Sequence, residues 1–323
     1  MTIKSTINAR VITNKPLSAQ GGSASGGQKG KACKYFRMAL ALNKPIKKVV
    51  PGQFVHINLN SNEHFAAQAG EVTARLSQRL NASEHILPRP FTIYDVKQSG
   101  RVIEVVYQVV GQGTELMSHI KTNERVSVLC PLGNGFKIDK KARMSILVAG
   151  GIGLAGLYLL LKQMTAQRIK NIYIFIGSRS KDDLCLLPEF RKLSDNIVVA
   201  TEDGSLGTKG LITAALDKFL NRSILHTSYS ILTIYSCGPA GMSEAVRELA
   251  VSKNIPCQIS LEARMGCGVG LCRVCVCPVR SPSCQRHDGS RLGRLTSNGV
   301  GKTTKGYATV CEDGPVFSAK DLA

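Results

Sequence analysis

Four cysteines stand within eleven residues in the stretch "CGVGLCRVCVC", residues 267 to 277. Cys267, Cys272 and Cys275 follow the spacing C-x4-C-x2-C, and Cys311 follows later in "VCEDGPVF". This is the plant-type spacing of a [2Fe–2S] cluster, whose four thiolate ligands must converge on two irons. Glycines between the first cysteines let the backbone wrap tightly, so that its N–H groups can approach the sulfurs. The spacing therefore predicts these four cysteines as the ligands of an iron–sulfur cluster.

The spacing fits two other uses of these thiols less well, namely a structural zinc site and a disulfide framework. A structural zinc site usually has two C-x2-C pairs, whereas this stretch has one such pair after a four-residue gap. A disulfide framework is typical of secreted chains. The N-terminus, "MTIKSTINARVITNKP", lacks the apolar segment of a signal peptide. We therefore expect a cytoplasmic chain with reduced thiols.

Two other cysteines, Cys277 and Cys284, are nearer in sequence and are alternatives for the fourth ligand. Cys277 follows Cys275 by only two residues, which is an awkward position for a further bond to the same cluster. We interpret Cys277 as a small buried side chain and Cys284 as an exposed thiol, and we keep Cys311 as the fourth ligand.

The composition restricts the partners of this 323-residue chain. Its most apolar stretch, residues 145 to 161, contains four glycines, so it predicts a strand, a turn and a helix rather than a membrane span. The formal net charge of +20 raises the question of nucleic-acid binding. Aromatic residues make up only 5% of the chain, and no helix-turn-helix or zinc-finger spacing occurs. We expect neither a nucleic acid nor a membrane as partner.

The distribution of apolar segments predicts three domains and a β + α/β fold class. Residues 1–141 contain short strand-like segments separated by Pro, Gly and Asn, which predict an antiparallel β-barrel. Residues 142–257 alternate four strand-like with four helical segments, which predicts a Rossmann-like parallel sheet with helices on both faces. Residues 258–323 are rich in Cys and Gly, so we expect a small domain that the cluster stabilises.

Two segments of the predicted barrel carry groups suited to a flavin nucleotide. In "PRPFTIYD", Arg89 can pair with the pyrophosphate and Thr92 can reach the isoalloxazine edge. In "VVYQVVGQGT", Gly113 and Thr114 offer backbone and hydroxyl donors at the start of a helix, where anions bind. Each segment alone is compatible with an ordinary strand or turn, and their order and spacing together favour an FAD site.

Two glycine-containing turns of the α/β region predict a second nucleotide site. Gly150, Gly151 and Gly153 in "LVAGGIG" follow a strand and precede a helix, as at a phosphate-binding helix N-terminus. Cys237 and Gly238 in "SCGPAGM" end another strand, at the edge of a parallel sheet where ligands bind. We predict that these residues contact NAD, although each turn is also compatible with a simple strand-to-helix connection.

The motifs occur in one order: "RPFTIYD", "VVYQVVGQGTELMS", "PLGNGF", "AGGIGLAGLYLL", "TEDGSLGTKG", "CGPAGM", "LEARMGCGVGLCRVCVC" and "VCEDGPVF". On these motifs the chain resembles the electron transfer subunits of the NAD-dependent (class 1B) dihydroorotate dehydrogenases, which are flavoproteins similar to ferredoxin–NADP reductase. The resemblance covers nearly the whole chain, and its most specific part is the pair "LEARMGCGVGLC" and "CEDGPVF".

The resemblance implies one FAD and one [2Fe–2S] cluster on this chain, NAD as electron acceptor, and an FMN-containing catalytic subunit as partner in a heterotetramer of two of each. Electrons would pass from the FMN through the cluster and FAD to NAD⁺, in the dihydroorotate oxidation of pyrimidine biosynthesis. No catalytic residue is assigned here, because proton abstraction from dihydroorotate belongs to the partner. The implied FAD contacts are Arg89, Pro90, Phe91, Thr92, Val106, Tyr107, Gln108, Gly113 and Thr114.

The chain departs from the family pattern at several positions. Gln108 stands where the family usually has Arg, so a phosphate contact is lost or moved. Gly156 stands where the family usually has Pro, which reduces the rigidity of the helix start. Residues 21–32, 61–87 and 278–306 are interpreted as insertions, and the last of these separates the third and fourth cluster ligands widely.

Two other functions stay open at this point. An electron transfer flavoprotein subunit of a ferredoxin:NADP reductase or a hydrogenase would have the same architecture and a different iron–sulfur partner. A basic, nucleic-acid-binding module stabilised by zinc would contain zinc and no flavin. The choice between NAD and NADP is open as well, since Arg179 and Lys181 in "GSRSKDD" could contact a 2′-phosphate.

Overall fold

The computed structural model describes residues 6–17, 34–59, 87–223, 232–280 and 306–323. Its N-terminal part is a closed antiparallel barrel with the strand order β1-β2-β5-β4-β3-β6. The strands are β1 (Ile7–Pro16), β2 (Tyr35–Leu42), β3 (Phe54–Asn58), β4 (Arg89–Lys97), β5 (Val102–Gln108) and β6 (Arg125–Leu132). The predicted barrel is confirmed, and β1 and β6 are strands that the sequence patterns did not predict.

Alternating burial explains how the barrel closes. In β1, Ile7, Ala9 and Val11 are buried while Asn8 and Arg10 between them are exposed, as expected for a strand with one face on a core. The inward side chains of all six strands form one apolar cluster. A short helix, α1 (Gln112–Ser118), connects β5 to β6 and covers one end of the barrel.

The second part is the predicted α/β region. A seven-stranded sheet has the order β10-β9-β8-β7-β11-β12-β15, and all its neighbouring strands are parallel except β15. From β7 the chain continues to β8, β9 and β10 on one side of the sheet, and then returns to β11 and β12 on the other side of β7. The carboxyl ends of β7 and β11 therefore flank a topological switch point, which is where such sheets bind ligands. The strands are β7 (Met144–Gly150), β8 (Ile172–Ser178), β9 (Ile197–Thr201), β10 (Thr208–Lys209), β11 (Leu232–Cys237), β12 (Cys257–Ser260) and β15 (Val316–Ser318).

The four predicted helices alternate with these strands. They are α2 (Leu154–Ala166), α3 (Leu187–Arg191), α4 (Ile212–Ser223) and α5 (Ala240–Ser252). No helix in the described part of the chain is long and apolar enough to cross a membrane.

The C-terminal segment packs against the α/β sheet. Strands β13 (Val276–Val279) and β14 (Gly306–Thr309) form an antiparallel pair, while β15 (Val316–Ser318) joins the large sheet beside β12. One apolar cluster includes residues of both regions, such as Ile259 and Val310. Strand β12 also crosses the predicted boundary between residues 257 and 258, and the three-domain partition stays a prediction.

Polar contacts hold the barrel against the α/β region. The Lys162 ammonium on α2 lies 2.7 Å from a carboxylate oxygen of Asp95 on β4. Glu189 of α3 accepts hydrogen bonds from Arg37 of β2 and from the Tyr94 hydroxyl of β4. These contacts fix the barrel strand that carries Arg89 relative to the glycine turn after β7.

Most of the three predicted insertions lie outside the described residues. This applies to all of 21–32, to 61–86 and to 281–305, and therefore also to Cys284. Of the third segment, residues 278–280 and 306 belong to or adjoin the β13–β14 pair.

Candidate functional site

A cavity of about 460 Å³ lies between the barrel and the α/β region. It is lined by all nine residues that the sequence assigns to FAD: Arg89, Pro90, Phe91, Thr92, Val106, Tyr107, Gln108, Gly113 and Thr114. Strands β4 and β5 are hydrogen-bonded neighbours, and α1 follows β5 directly, so the two predicted FAD segments meet in one wall. We call this space the first cavity.

Arg89 lies directly over the start of α1. A Cβ atom added to Gly113 would stand 2.8 Å from the Arg89 Nε, so only glycine leaves room for the guanidinium there. The N–H groups of a helix's first turn have no partner within the helix. Arg89 and the N–H groups of Gly113 and Thr114 therefore form a cationic, donor-rich corner suited to phosphate.

The Thr114 hydroxyl has a different role from the one that the sequence predicted. It donates to the Gly111 carbonyl at 2.9 Å and accepts the Val110 N–H at 3.0 Å. A hydroxyl has one proton to donate, so it is not available to a phosphate in this arrangement. The side chain shapes the turn, and only the backbone of Thr114 faces the phosphate corner.

A second cavity, of about 690 Å³, opens at the carboxyl ends of β7, β8 and β9. Gly150 and Gly151 line it, whereas Gly153 and Cys237 line the first cavity. Gly238 lines neither cavity and packs against the backbone of Gly150. A Cβ added to Gly238 would stand 2.8 Å from the amide nitrogen of Gly150. The two predicted nucleotide turns are therefore packed against each other.

The two cavities meet at three residues that line both, Gln108, Ile152 and Glu262. Glu262 follows β12 and belongs to the motif "LEARMGC". The sequence motifs did not predict it as a site residue. Glu262 is exposed to solvent where it lines the cavities, and partial desolvation by the surrounding protein raises the pKa of its carboxyl group. The junction therefore contains a carboxylate that is protonated more readily than an ordinary glutamate.

Cys237 lies close to the same junction. Its side chain is buried, and burial, together with the nearby Glu262 carboxylate, raises the pKa of the thiol to about 12. The group is therefore a neutral thiol at physiological pH. A Cβ added to Gly156 would stand 2.6 Å from the Cys237 sulfur, so the glycine at this departure from the family pattern allows the thiol to pack against α2.

The cysteine loop brings the four predicted cluster ligands together as two pairs. The Cys272 N–H donates to the Cys267 sulfur at 3.4 Å, and the Cys311 N–H donates to the Cys275 sulfur at 3.4 Å. The Gly270 N–H donates to the Cys311 sulfur at 3.1 Å, which joins the loop to the distant fourth cysteine. Cys277 instead lies in β13, opposite Ala308, and packs against the shared apolar core.

The loop backbone is arranged to stabilise thiolates. The N–H groups of Val269 and Cys272 donate to the Cys267 sulfur at 3.5 and 3.4 Å. Burial raises the pKa of this thiol, but these N–H groups outweigh burial and lower it to about 7. Burial and the neighbouring Cys275 raise the pKa of Cys311 to about 12, and a thiol of this kind is deprotonated by a metal ion that it ligates.

Two pairs of thiols are the donor set that a two-iron cluster takes. Among the described residues, no group of three or more His, Cys, Asp or Glu side chains has the arrangement of a metal-ion site. A [2Fe–2S] cluster takes two protein ligands on each iron, so two adjacent pairs of thiols are the arrangement it requires. The donor set and its N–H contacts therefore fit this group.

Comparison with known proteins agrees with these features. Residues 147–248 match the oxidoreductase NAD-binding domain family. The electron transfer subunit of dihydroorotate dehydrogenase B (NAD(+)) from Fusobacterium nucleatum is 34% identical over 84% of this chain and 86% of its own length. The subunit of the same name from a Geobacillus species is 31% identical over 90% of this chain and 98% of its own length. The chain belongs to this family of electron transfer subunits.

A solved structure supports the same architecture. The structure of an NADH-dependent reduced ferredoxin–NADP oxidoreductase, studied for flavin-based electron bifurcation, has a TM-score of 0.66 and 24% identity, and the match covers 97% of this chain and 89% of that one. At this identity the likeness shows the fold alone, a barrel followed by a nucleotide-binding α/β region. Family membership makes the chain an oxidoreductase subunit, as the sequence motifs predicted.

Proposed function

We propose that this chain carries electrons from the catalytic subunit of an NAD-dependent dihydroorotate dehydrogenase to NAD⁺, with FAD in the first cavity and NAD in the second. The observation that supports this most directly is the junction of the two cavities at Gln108, Ile152 and Glu262. Hydride transfer needs the two rings in contact, and a shared wall is where they can meet. When bound, FAD links the two-electron chemistry of NAD to the one-electron chemistry of an iron–sulfur cluster.

Each part of the first cavity has a task in this proposal. Arg89 and the N–H groups at the start of α1 bind the pyrophosphate, while Phe91 and Tyr107 provide apolar walls. Gln108 stands where the family usually has Arg, so Arg89 is the only Lys or Arg among the described lining residues of this cavity. We therefore assign Arg89 the main charge contact with FAD.

Cys267, Cys272, Cys275 and Cys311 would hold the [2Fe–2S] cluster. Cys311 is favoured over Cys277 as the fourth ligand because it is paired with Cys275 and accepts the Gly270 N–H. The surrounding N–H donors stabilise the negative charge of the thiolates, which is one means by which a protein adjusts a cluster's potential.

An exposed apolar surface surrounds the cysteine loop and is suited to a partner protein. It comprises Leu271, Val274, Val276 and Tyr307, which are 75, 63, 46 and 61% exposed. Cys272 between them is also exposed. We call these four residues the loop patch, and we assign to it the FMN-containing catalytic subunit, in a heterotetramer of two of each chain, because exposed apolar patches mark interaction sites. Electrons then enter close to the cluster.

The test is to purify the tagged chain anaerobically from its own cells and to assay dihydroorotate-dependent NAD⁺ reduction. Activity in an eluate that contains a second flavoprotein subunit is the expected result. NADH oxidation by artificial acceptors with no response to dihydroorotate would contradict the substrate and would favour another electron transfer complex. Zinc in place of iron, with no flavin, would contradict the flavoprotein function.

The Glu262 carboxylate is expected to favour NAD⁺ over NADH. The nicotinamide ring is cationic in NAD⁺ and neutral in NADH, so an ionised carboxylate at the cavity junction attracts the oxidised form. Because partial desolvation raises the pKa of Glu262, this attraction is absent at low pH and develops above the usual range of a glutamate. In Glu262→Gln, inhibition by NAD⁺ should weaken about fivefold at pH 8 and lose its pH dependence.

The measurement is the NAD⁺ inhibition constant, against NADH oxidation by ferricyanide, at a series of pH values. Glu248→Gln, an exposed residue of α5 outside both cavity linings, is the matched control. An unchanged pH profile in Glu262→Gln would show that this carboxylate does not face the nicotinamide.

Charged residues in the loop patch are expected to separate the subunits without removing the cofactors. The double variant Leu271→Glu and Val274→Glu should weaken binding of the catalytic subunit about 100-fold, because two apolar contacts are lost and two charges are buried. Subunit affinity is measured by analytical ultracentrifugation, and NADH oxidation by ferricyanide should be retained. Ala166→Glu places the same charge on the exposed end of α2 as a control. Full affinity in the double variant would place the partner elsewhere.

A further inference from the structure

The structure separates the two cations that could contact a 2′-phosphate of NADP. Arg179 lines the second cavity, whereas Lys181 is not among its lining residues. The Arg179 Nε lies 3.8 Å from a carboxylate oxygen of Asp183. The Arg179 side chain is 73% exposed, so Asp183 attracts this cation at the cavity edge without forming a hydrogen bond to it.

Asp183 is held firmly in this position. Its carboxylate accepts hydrogen bonds from the Tyr35 hydroxyl at 2.7 Å and from the Lys34 ammonium at 3.2 Å. Both partners come from the start of barrel strand β2, so the contact joins the barrel to the loop after β8. The side chain of Asp183 is only 13% exposed, and burial limits its freedom to move away from Arg179.

Glu202 adds a second carboxylate at the same edge of the sheet. It follows β9, and its N–H donates to the Ser178 carbonyl of β8 at 3.1 Å. The next N–H, that of Asp203, donates to the Arg179 carbonyl at 3.2 Å. These bonds place Glu202 beside the Arg179 segment, and Glu202 is exposed and lines the cavity.

The charge of this cavity is opposite to that of the chain. Its described lining contains three carboxylates, Asp183, Glu202 and Glu262, and one cation, Arg179. The whole chain has a formal net charge of +20. An acidic site in so basic a protein repels an additional phosphate, and phosphate recognition normally requires unpaired Arg or Lys groups.

We propose that Glu202 makes the second cavity select NAD over NADP, with Asp183 as a positioning residue that attracts Arg179. The Glu202 carboxylate accepts hydrogen bonds from the hydroxyls of the adenosine ribose, and it repels a phosphate at the 2′ position. This inference rests on the proposed use of a nicotinamide dinucleotide, and it names the residues that determine which one is used.

The test compares the FAD-loaded full-length chain with Glu202→Gln and with Asp195→Asn. Asp195 precedes β9 and Glu202 follows it, so the control changes the same charge at the other end of the strand. Calorimetry measures the affinities for 5′-AMP and 2′,5′-ADP, and steady-state assays with ferricyanide measure kcat/KM for NADH and NADPH.

We expect wild type and Asp195→Asn to prefer NADH and to bind 5′-AMP more tightly than 2′,5′-ADP. In Glu202→Gln, kcat/KM for NADPH should rise about tenfold relative to kcat/KM for NADH, a change of about 1.4 kcal/mol. The affinity for 2′,5′-ADP should rise by about the same factor relative to the affinity for 5′-AMP. Adding Asp183→Asn should raise both further, because Arg179 is then unpaired.

Unchanged ratios in Glu202→Gln, with wild type still preferring NADH, would overturn this inference and leave the proposed function intact. A wild-type chain that oxidises neither dinucleotide, or that prefers NADPH, would overturn the proposed NAD site itself.

Discussion

Replacement of Cys275 or Cys311 by serine should remove the iron from this protein, while Cys277→Ser should retain it. Cys275 and Cys311 are buried, and a serine hydroxyl is a harder, weaker ligand for an iron–sulfur cluster than a thiolate, so loss of either thiolate should release the cluster. Cys277 is paired in β13 opposite Ala308 and lies outside the two thiol pairs. Iron per chain and the visible and electron paramagnetic resonance spectra of the reduced protein measure the result.

FAD content is the internal control for these variants. The first cavity is lined by none of the four cluster cysteines, so FAD should stay bound in Cys275→Ser and Cys311→Ser. NADH oxidation by ferricyanide should then persist while dihydroorotate-dependent activity is lost. Loss of iron in Cys277→Ser together with its retention in Cys311→Ser would assign the fourth ligand to Cys277 instead.

Arg89→Gln should weaken FAD binding about 10- to 100-fold. Hydrogen bonds to charged groups each contribute about 1.5 to 3 kcal/mol, and Arg89 is the only described cation in the first cavity. Arg89→Lys should have an intermediate affinity, because lysine keeps the charge but lacks the planar pair of donors. The measurement is FAD affinity, from the quenching of flavin fluorescence as FAD is added to the flavin-free chain.

Two further variants determine whether the loss is specific. Gly113→Ala should also weaken FAD binding, because its Cβ would stand 2.8 Å from the Arg89 Nε and displace the guanidinium. Arg101→Gln removes the same charge from an exposed turn after β4 and should bind FAD normally. Equal affinities in wild type and Arg89→Gln would show that the pyrophosphate lies elsewhere.

The regular elements of the α/β region could be predicted because their signals are local. Segments such as "SILVAGG" and "LAGLYLLLKQM" carry the period and the turn residues of a strand and a helix within a few positions. Strands β1, β6 and β12 were not predicted. β6 contains Pro131 and β12 has only four residues, so pairing with distant strands, rather than local sequence, determines them.

The sequence alone determined the class of chemistry in this protein. Thiol spacing, glycine turns and the order of the motifs depend only on covalent neighbours, so they can be recognised without a structure. They led to the predicted cluster ligands and to the family to which the chain belongs. The resemblance to that family implied the nine FAD contacts, and these residues line one cavity.

Only the tertiary structure decided how these groups act on one another. Glu262 stands between the two cavities, the Thr114 hydroxyl is used within its own turn, and Arg179 lies near the Asp183 carboxylate. The position of Glu262 depends on strand order, which brings residues far apart in sequence to one junction. The Thr114 and Arg179 contacts join residues only three or four positions apart, and they depend on the local conformation of each turn. Contacts of this kind leave no periodic signal along the chain, because the same residue types at the same spacing occur in many turns that bind nothing.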